Sequence, residues 1–86
     1  MTSVLLVDDE PDFLVVMDKL LKRQGYEVSE AINGKGALKK AREERPDVML
    51  LDVMMPDIEG WEVCKMLKKD PKTRDLPIIM LTVMAE

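Results

Sequence analysis

Hydrophobic and polar positions alternate along this chain between short solid apolar runs and longer stretches of helical spacing. Val48-Met49-Leu50-Leu51 is a solid run ending on Asp52. Pro46 precedes it, and Pro56 and Gly60 follow. A short apolar run between breakers suits a strand buried on both faces, as in a parallel sheet. Ser3-Val4-Leu5-Leu6-Val7 is a second such run and ends on Asp8-Asp9-Glu10; Ile78-Ile79-Met80-Leu81 is a third and ends on Thr82. Tyr26 to Ala31 alternates only weakly, which predicts a strand nearer the sheet edge.

Helical spacing fills the intervals. Phe13, Leu14, Met17, Leu20 and Leu21 form an apolar face behind Pro11, and Gly25 stops that helix. Asp9 or Glu10 is its expected N-cap. Asn33-Gly34 turns the chain into a shorter helix marked by Ala37, Leu38 and Ala41. Gly60 opens a third helix with Val63, Met66 and Leu67 facing inward. A polar loop from Asp70 to Pro77 leads to the last strand. The order β-α-β-α-β-α-β predicts right-handed parallel crossovers with helices on both sheet faces.

Composition narrows the class. Residues 1–86 make one small domain, 47% hydrophobic and 35% charged, within the range of a folded soluble protein. A net charge of -4 argues against direct nucleic-acid binding, which needs a basic surface. The longest apolar runs are too short to span a membrane, and the N-terminus shows no secretory pattern. Cys64 is the single cysteine, which fits a reducing, cytoplasmic setting and reads as a small core residue. No histidine is present, so chemistry that uses this chain's own imidazole is excluded. The eight methionines read as core filler, with a cofactor or peptide groove as the lesser alternative.

The candidate chemistry lies at the strand ends. In a doubly wound sheet of order 2-1-3-4, the first and third strands are neighbours at the switch point, and ligands bind there at the carboxyl ends. Asp8, Asp9 and Asp52 would then meet. Three carboxylates repel one another unless a cation joins them, and an all-oxygen set suits a hard ion such as Mg2+. The backbone carbonyl of Met54 is a further candidate ligand, and the Thr82 hydroxyl a candidate donor to a phosphoryl oxygen. The plainer alternative is that Asp8 and Asp9 cap a helix and Asp52 ends a strand. The converging groups point to a carboxylate nucleophile forming an aspartyl phosphate. Asp57 and Glu59 read as solvated loop residues, and Trp61 as a surface or half-buried residue.

The motifs Leu5-Leu6-Val7-Asp8-Asp9-Glu10-Pro11, Leu51-Asp52-Val53-Met54-Met55-Pro56-Asp57-Ile58-Glu59-Gly60 and Pro77-Ile78-Ile79-Met80-Leu81-Thr82 resemble the receiver domain of two-component response regulators. The resemblance runs along all 86 residues. It implies a flavodoxin-like α/β fold, with Asp52 as phosphoacceptor and Asp8 and Asp9 as the acidic pair for Mg2+. It also implies the Met54 carbonyl as a ligand and Thr82 as the switch hydroxyl. The partner it implies is a histidine kinase or phosphotransfer domain, docked on the first helix.

Receiver domains usually have five strands and five helices, and this sequence stops after the fourth strand. The expectation is therefore a receiver shortened to (βα)3β, without the strand-end lysine and the switching aromatic residue of the family. An exposed fourth strand would favour self-association. The alternative function is a receiver-derived fragment or self-association module that no longer signals. An aspartate-nucleophile phosphatase is a third possibility, but it needs a second carboxylate as general acid, and Met54 stands where one would be sought.

Overall fold

The structure is a computed structural model and describes residues 1–81. Thr82 lies outside the described residues. Strands β1 (Ser3–Val7), β2 (Glu27–Ala31), β3 (Val48–Asp52) and β4 (Ile78–Leu81) form one parallel sheet in the order β2-β1-β3-β4. Helices α1 (Pro11–Arg23), α2 (Gly34–Glu44) and α3 (Gly60–Lys69) connect them in turn. This is the flavodoxin-like order expected from the sequence. Val7 pairs with Ala31 on one side and Leu51 on the other, and Asp52 pairs with Leu81.

The sheet divides its side chains by parity. Leu5, Val7, Ala31, Met49 and Leu51 face α2 and α3 and pack with Ala37, Leu38, Ala41, Val63 and Leu67. Residues of alternate parity in β1, Val4 and Leu6, are buried as well, so β1 is covered on both faces. Leu14 is the buried residue of α1. Its flanking Phe13, Met17 and Leu21 are half-buried, while Leu20 is exposed, against expectation. A helix lying on a twisted sheet edge buries a narrow stripe, and Leu20 falls outside it. Met66 is likewise exposed, because Val63 and Leu67 occupy the inward stripe of α3.

Two other expectations change. Strand β4 is only partly buried: Ile78 and Met80 pack against the core, but Ile79 is exposed. Among the described residues no helix covers β4 on that face, and β4 is the outer strand. The loop from Asp70 to Pro77, read as polar, contributes to the core through Thr73 and Leu76, both buried. The Thr73 hydroxyl donates to the Leu67 carbonyl at 2.7 Å, closing the end of α3. Lys68 Nζ donates to the Leu76 carbonyl at 2.7 Å and folds the loop back over the helix.

The core makes a direct stability prediction. Leu51 is fully buried beneath two helices, and truncating it leaves a cavity. Leu51→Ala should lower unfolding free energy by about 2–5 kcal/mol in urea titration. Val16→Ala, on the exposed face of α1, should change it by less than about 0.5 kcal/mol.

Candidate functional site

The site forms where β1 and β3 end side by side. The Val7–Leu51 pairing puts Asp8 and Asp52 at the carboxyl ends of neighbouring strands. Asp8 is buried, Asp9 exposed and Asp52 half-buried. Each offers a carboxylate oxygen, and the three oxygens lie within 4.8 Å of one another. Among the described residues none of them is in an ion pair.

Local hydrogen bonds fix the two inner carboxylates. The Asp8 amide donates to the Ala31 carbonyl at 3.1 Å, which ties the strand end to β2. Asp8 Oδ1 accepts from the Glu10 amide at 2.9 Å. That bond turns the chain toward α1 and holds the side chain at the strand end. Glu10 occupies the N-cap position without a side-chain capping bond, and Asp9 takes no cap role, so the expected cap at Asp9 or Glu10 is replaced by this Asp8 turn. Asp52 Oδ1 receives the Met54 amide at 3.4 Å. The backbone contact shown for Met54 is thus through its N–H, and its side chain is exposed.

The electrostatics follow from this crowding. Partial burial pushes the Asp52 carboxyl above its ordinary value, and the negative charge of Asp8 adds to the push. The Met54 amide pulls back, Asp9 raises it further, and the Val53 amide lowers it slightly. The protein thus holds a carboxylate where its charge is disfavoured, beside two others. That donor set, all oxygen and net negative, fits a hard divalent cation that keeps part of its water shell.

A family model described as the response regulator receiver domain matches residues 4–86. This chain belongs to the response regulator receiver domain family. It is 45% identical over 84 residues to the alkaline phosphatase synthesis transcriptional regulatory protein PhoP of Bacillus subtilis, covering 98% of this chain and 34% of that protein. It therefore spans about a third of that regulator's length. Among solved structures, it resembles the N-terminal domain of a response regulator receiver protein from Methanoculleus marisnigri, with a TM-score of 0.94 and 38% identity. That match covers all of this chain and 70% of the other. The Thermotoga maritima response regulator TrrA, solved in complex with Mg(2+)-BeF, aligns with a TM-score of 0.91 at 40% identity over 99% of this chain and 72% of its own. Receiver domains are signalling modules of two-component systems, and one of them binds Mg2+ in the solved complex.

The structure brings together Asp8, Asp9, Asp52 and the Met54 backbone; Thr82 lies outside the described residues. Asp57 is exposed, as the sequence predicts, but it also has a role not evident from the sequence: its carboxylate accepts the amides of Gly34 at 2.7 Å and Lys35 at 3.0 Å, at the start of α2, and of Ile58 at 2.8 Å. Burial works to raise Asp57, but the amide hydrogen bonds from Lys35, Gly34 and Ile58 outweigh it and hold the carboxyl below its ordinary value. An acidic residue opposite a helix start was the available signal. A separation of 23 positions between Asp57 and Gly34 concealed it.

The raised Asp52 makes a pH-dependent stability prediction. A carboxyl raised above its unfolded value favours the folded state when protonated, and that advantage is lost as pH rises through the folded value. At neutral pH the charged Asp52 therefore weakens the fold. Without divalent cations, Asp52→Asn should raise Tm at pH 7. The gain should shrink as pH falls below the ordinary carboxylate range, as followed by circular dichroism melts.

Proposed function

We propose that this receiver domain accepts a phosphoryl group on Asp52, with Mg2+ held by the carboxylates of Asp8, Asp9 and Asp52 and the carbonyl of Met54. The convergence of the three carboxylates at the switch point carries this reading. Membership of the receiver family and the Mg(2+)-BeF complex of TrrA support it. In this reading an Asp52 oxygen attacks phosphorus. The bond from phosphorus to its donor breaks, and the bonding electrons leave with the donor. For a phosphohistidine the leaving group is an imidazole of the kinase or phosphotransfer partner, consistent with a chain that has no histidine of its own.

Each residue has a distinct task. Asp52 is the nucleophile, and the Met54 amide orients its carboxylate. Asp8 is fixed by the Glu10 amide and contributes charge from a buried position, while Asp9 reaches the same space from the exposed side. Bound Mg2+ would neutralise the crowded charge of nucleophile and phosphoryl group. Thr82, which follows Leu81 in sequence, is assigned the hydroxyl that donates to a phosphoryl oxygen. The exposed Val15, Val16 and Leu20 on α1 suit docking of a kinase or phosphotransfer domain. The domain acts as a phosphoacceptor and signalling module in the cytoplasm, without turning over a substrate.

Intact mass spectrometry tests the proposal. Incubation with acetyl phosphate and Mg2+ should add one phosphoryl group. The adduct should be absent in Asp52→Asn and strongly reduced when the metal is chelated. A folded wild-type sample that gains no adduct would overturn retained phosphoacceptance.

A second reading rests on one observation, the exposed Ile79 on the outer strand β4. We infer that this face supports association with a second copy of the chain, in addition to or in place of signalling. Sedimentation should give a mass that rises with concentration, and Ile79→Lys should return it to that of a monomer. A concentration-independent monomer mass would exclude this reading.

A further inference from the structure

The loop between β3 and α3 is anchored along its length. At its end, the Gly60 amide donates to the Val53 carbonyl at 2.7 Å. A Cβ at Gly60 would overlap the Asp52 carbonyl oxygen, so only glycine lets the helix start this close to the strand. In its middle, Met55 is buried in the core. Ile58 lies against Gly34, where an added Cβ would come within 2.8 Å of Ile58 Cβ and 3.1 Å of Val63 Cγ2.

Asp57 completes this set by supplying what α2 lacks. The first amides of a helix have no partner within it. In α2 the local cap serves only one: Asn33 Oδ1 accepts from Gly36 at 2.7 Å. The other two free amides, Gly34 and Lys35, are both taken by Asp57, one on each carboxylate oxygen. An anion at this end of a helix is also favoured by the helix dipole. The bond is therefore between two distant parts of the chain: the start of α2 and the loop that carries Met54. Asp57 does not belong to the Asp8, Asp9 and Asp52 cluster.

We propose that Asp57 is a positioning residue for the phosphoryl and metal site, tying the Met54 loop to the start of α2 so that the Met54 backbone stays at the Asp52 carboxylate. This rests on the function proposed above. Four residues separate Asp52 from Asp57, so the tether restrains the segment on the side opposite its exit from β3. Without it, Val53 and Met54 would be held by the strand end, the buried Met55, the packing of Ile58 and the Gly60 contact, with no hydrogen bond from the loop to the start of α2. Fixing outer partners of metal-ligating groups commonly changes metal affinity by a factor of ten or more.

The test compares two ways of weakening the same helix start. Asp57→Ala removes the cap that also holds the loop. Asn33→Ala removes the local cap and leaves the loop tether in place. Asp57→Asn keeps one acceptor oxygen and serves as the conservative variant. Two readouts are taken: Mg2+ affinity, followed through Trp61 at the start of α3, and hydrogen exchange of the Gly60 amide in metal-free protein. Asp57→Ala should weaken Mg2+ binding roughly ten-fold and speed Gly60 exchange. Asp57→Asn should fall between it and the wild type. Asn33→Ala should lower Tm but leave both readouts within about two-fold of wild type. Equal effects of Asp57→Ala and Asn33→Ala would reduce Asp57 to a plain helix cap and overturn the proposal, as would unchanged Gly60 exchange in Asp57→Ala. Should Asp57→Ala fail to fold, Asp57→Asn against Asn33→Ala decides by the same criteria. A wild type that binds no Mg2+ would sink the proposed function, while the metal-free exchange comparison would still decide the role of Asp57.

Discussion

Val7 pairs with Leu51 across β1 and β3, and from that register the rest of the site follows. It puts Asp8 and Asp52 on adjacent strand ends with their carboxylates facing one space. The crossover through β2 makes β1 central, and the sheet order then changes direction between β1 and β3. A crevice opens at such a point because the helices leaving the two strands pass to opposite faces. Here α1 leaves β1 on one side, and α3 leaves β3 toward the core shared with α2. The acidic groups stay between them.

The site works against the stability of the fold that holds it. Asp52 is partly removed from water and sits beside two like charges, so its ionised form is disfavoured. The apolar layers beneath it, Leu5, Val7, Met49 and Leu51, offset that cost by burying nearly all their surface. A divalent cation or a phosphoryl group with its cation would relieve the repulsion. The crowding that disfavours ionised Asp52 is of the kind that an added positive charge offsets.

Sequence patterns expressed the secondary structure well because each element answers to a local rule. Solid apolar runs gave the inner strands, 3.6-residue spacing the helices, and proline and glycine their ends. The departures occur where burial depends on neighbours. Ile79 carries the same hydrophobic signal as Leu50, yet among the described residues β4 has a strand on one side only and no helix covers Ile79. Met66 and Leu20 match helical spacing but lie at the margin of a narrow stripe. Thr73 and Leu76 sit in a segment that reads as polar, and they are buried because Lys68 and the Leu67 carbonyl draw the loop over α3.

By itself, the sequence determined the α/β alternation, the acidic strand ends and the family, since each is carried by residues contiguous in the chain. It also pointed to Asp8, Asp9 and Asp52 as one group, through the rule that connects strand order to ligand position. The tertiary structure decided which groups touch. It assigned Asp8 to the Glu10 amide, where a helix cap from Asp9 or Glu10 was expected, and it joined Asp57 to the start of α2. Neither pairing can be read from spacing. A carboxylate accepts from whichever free amide the fold brings within about 3 Å, and that depends on how α2 and the loop after Asp52 pack together.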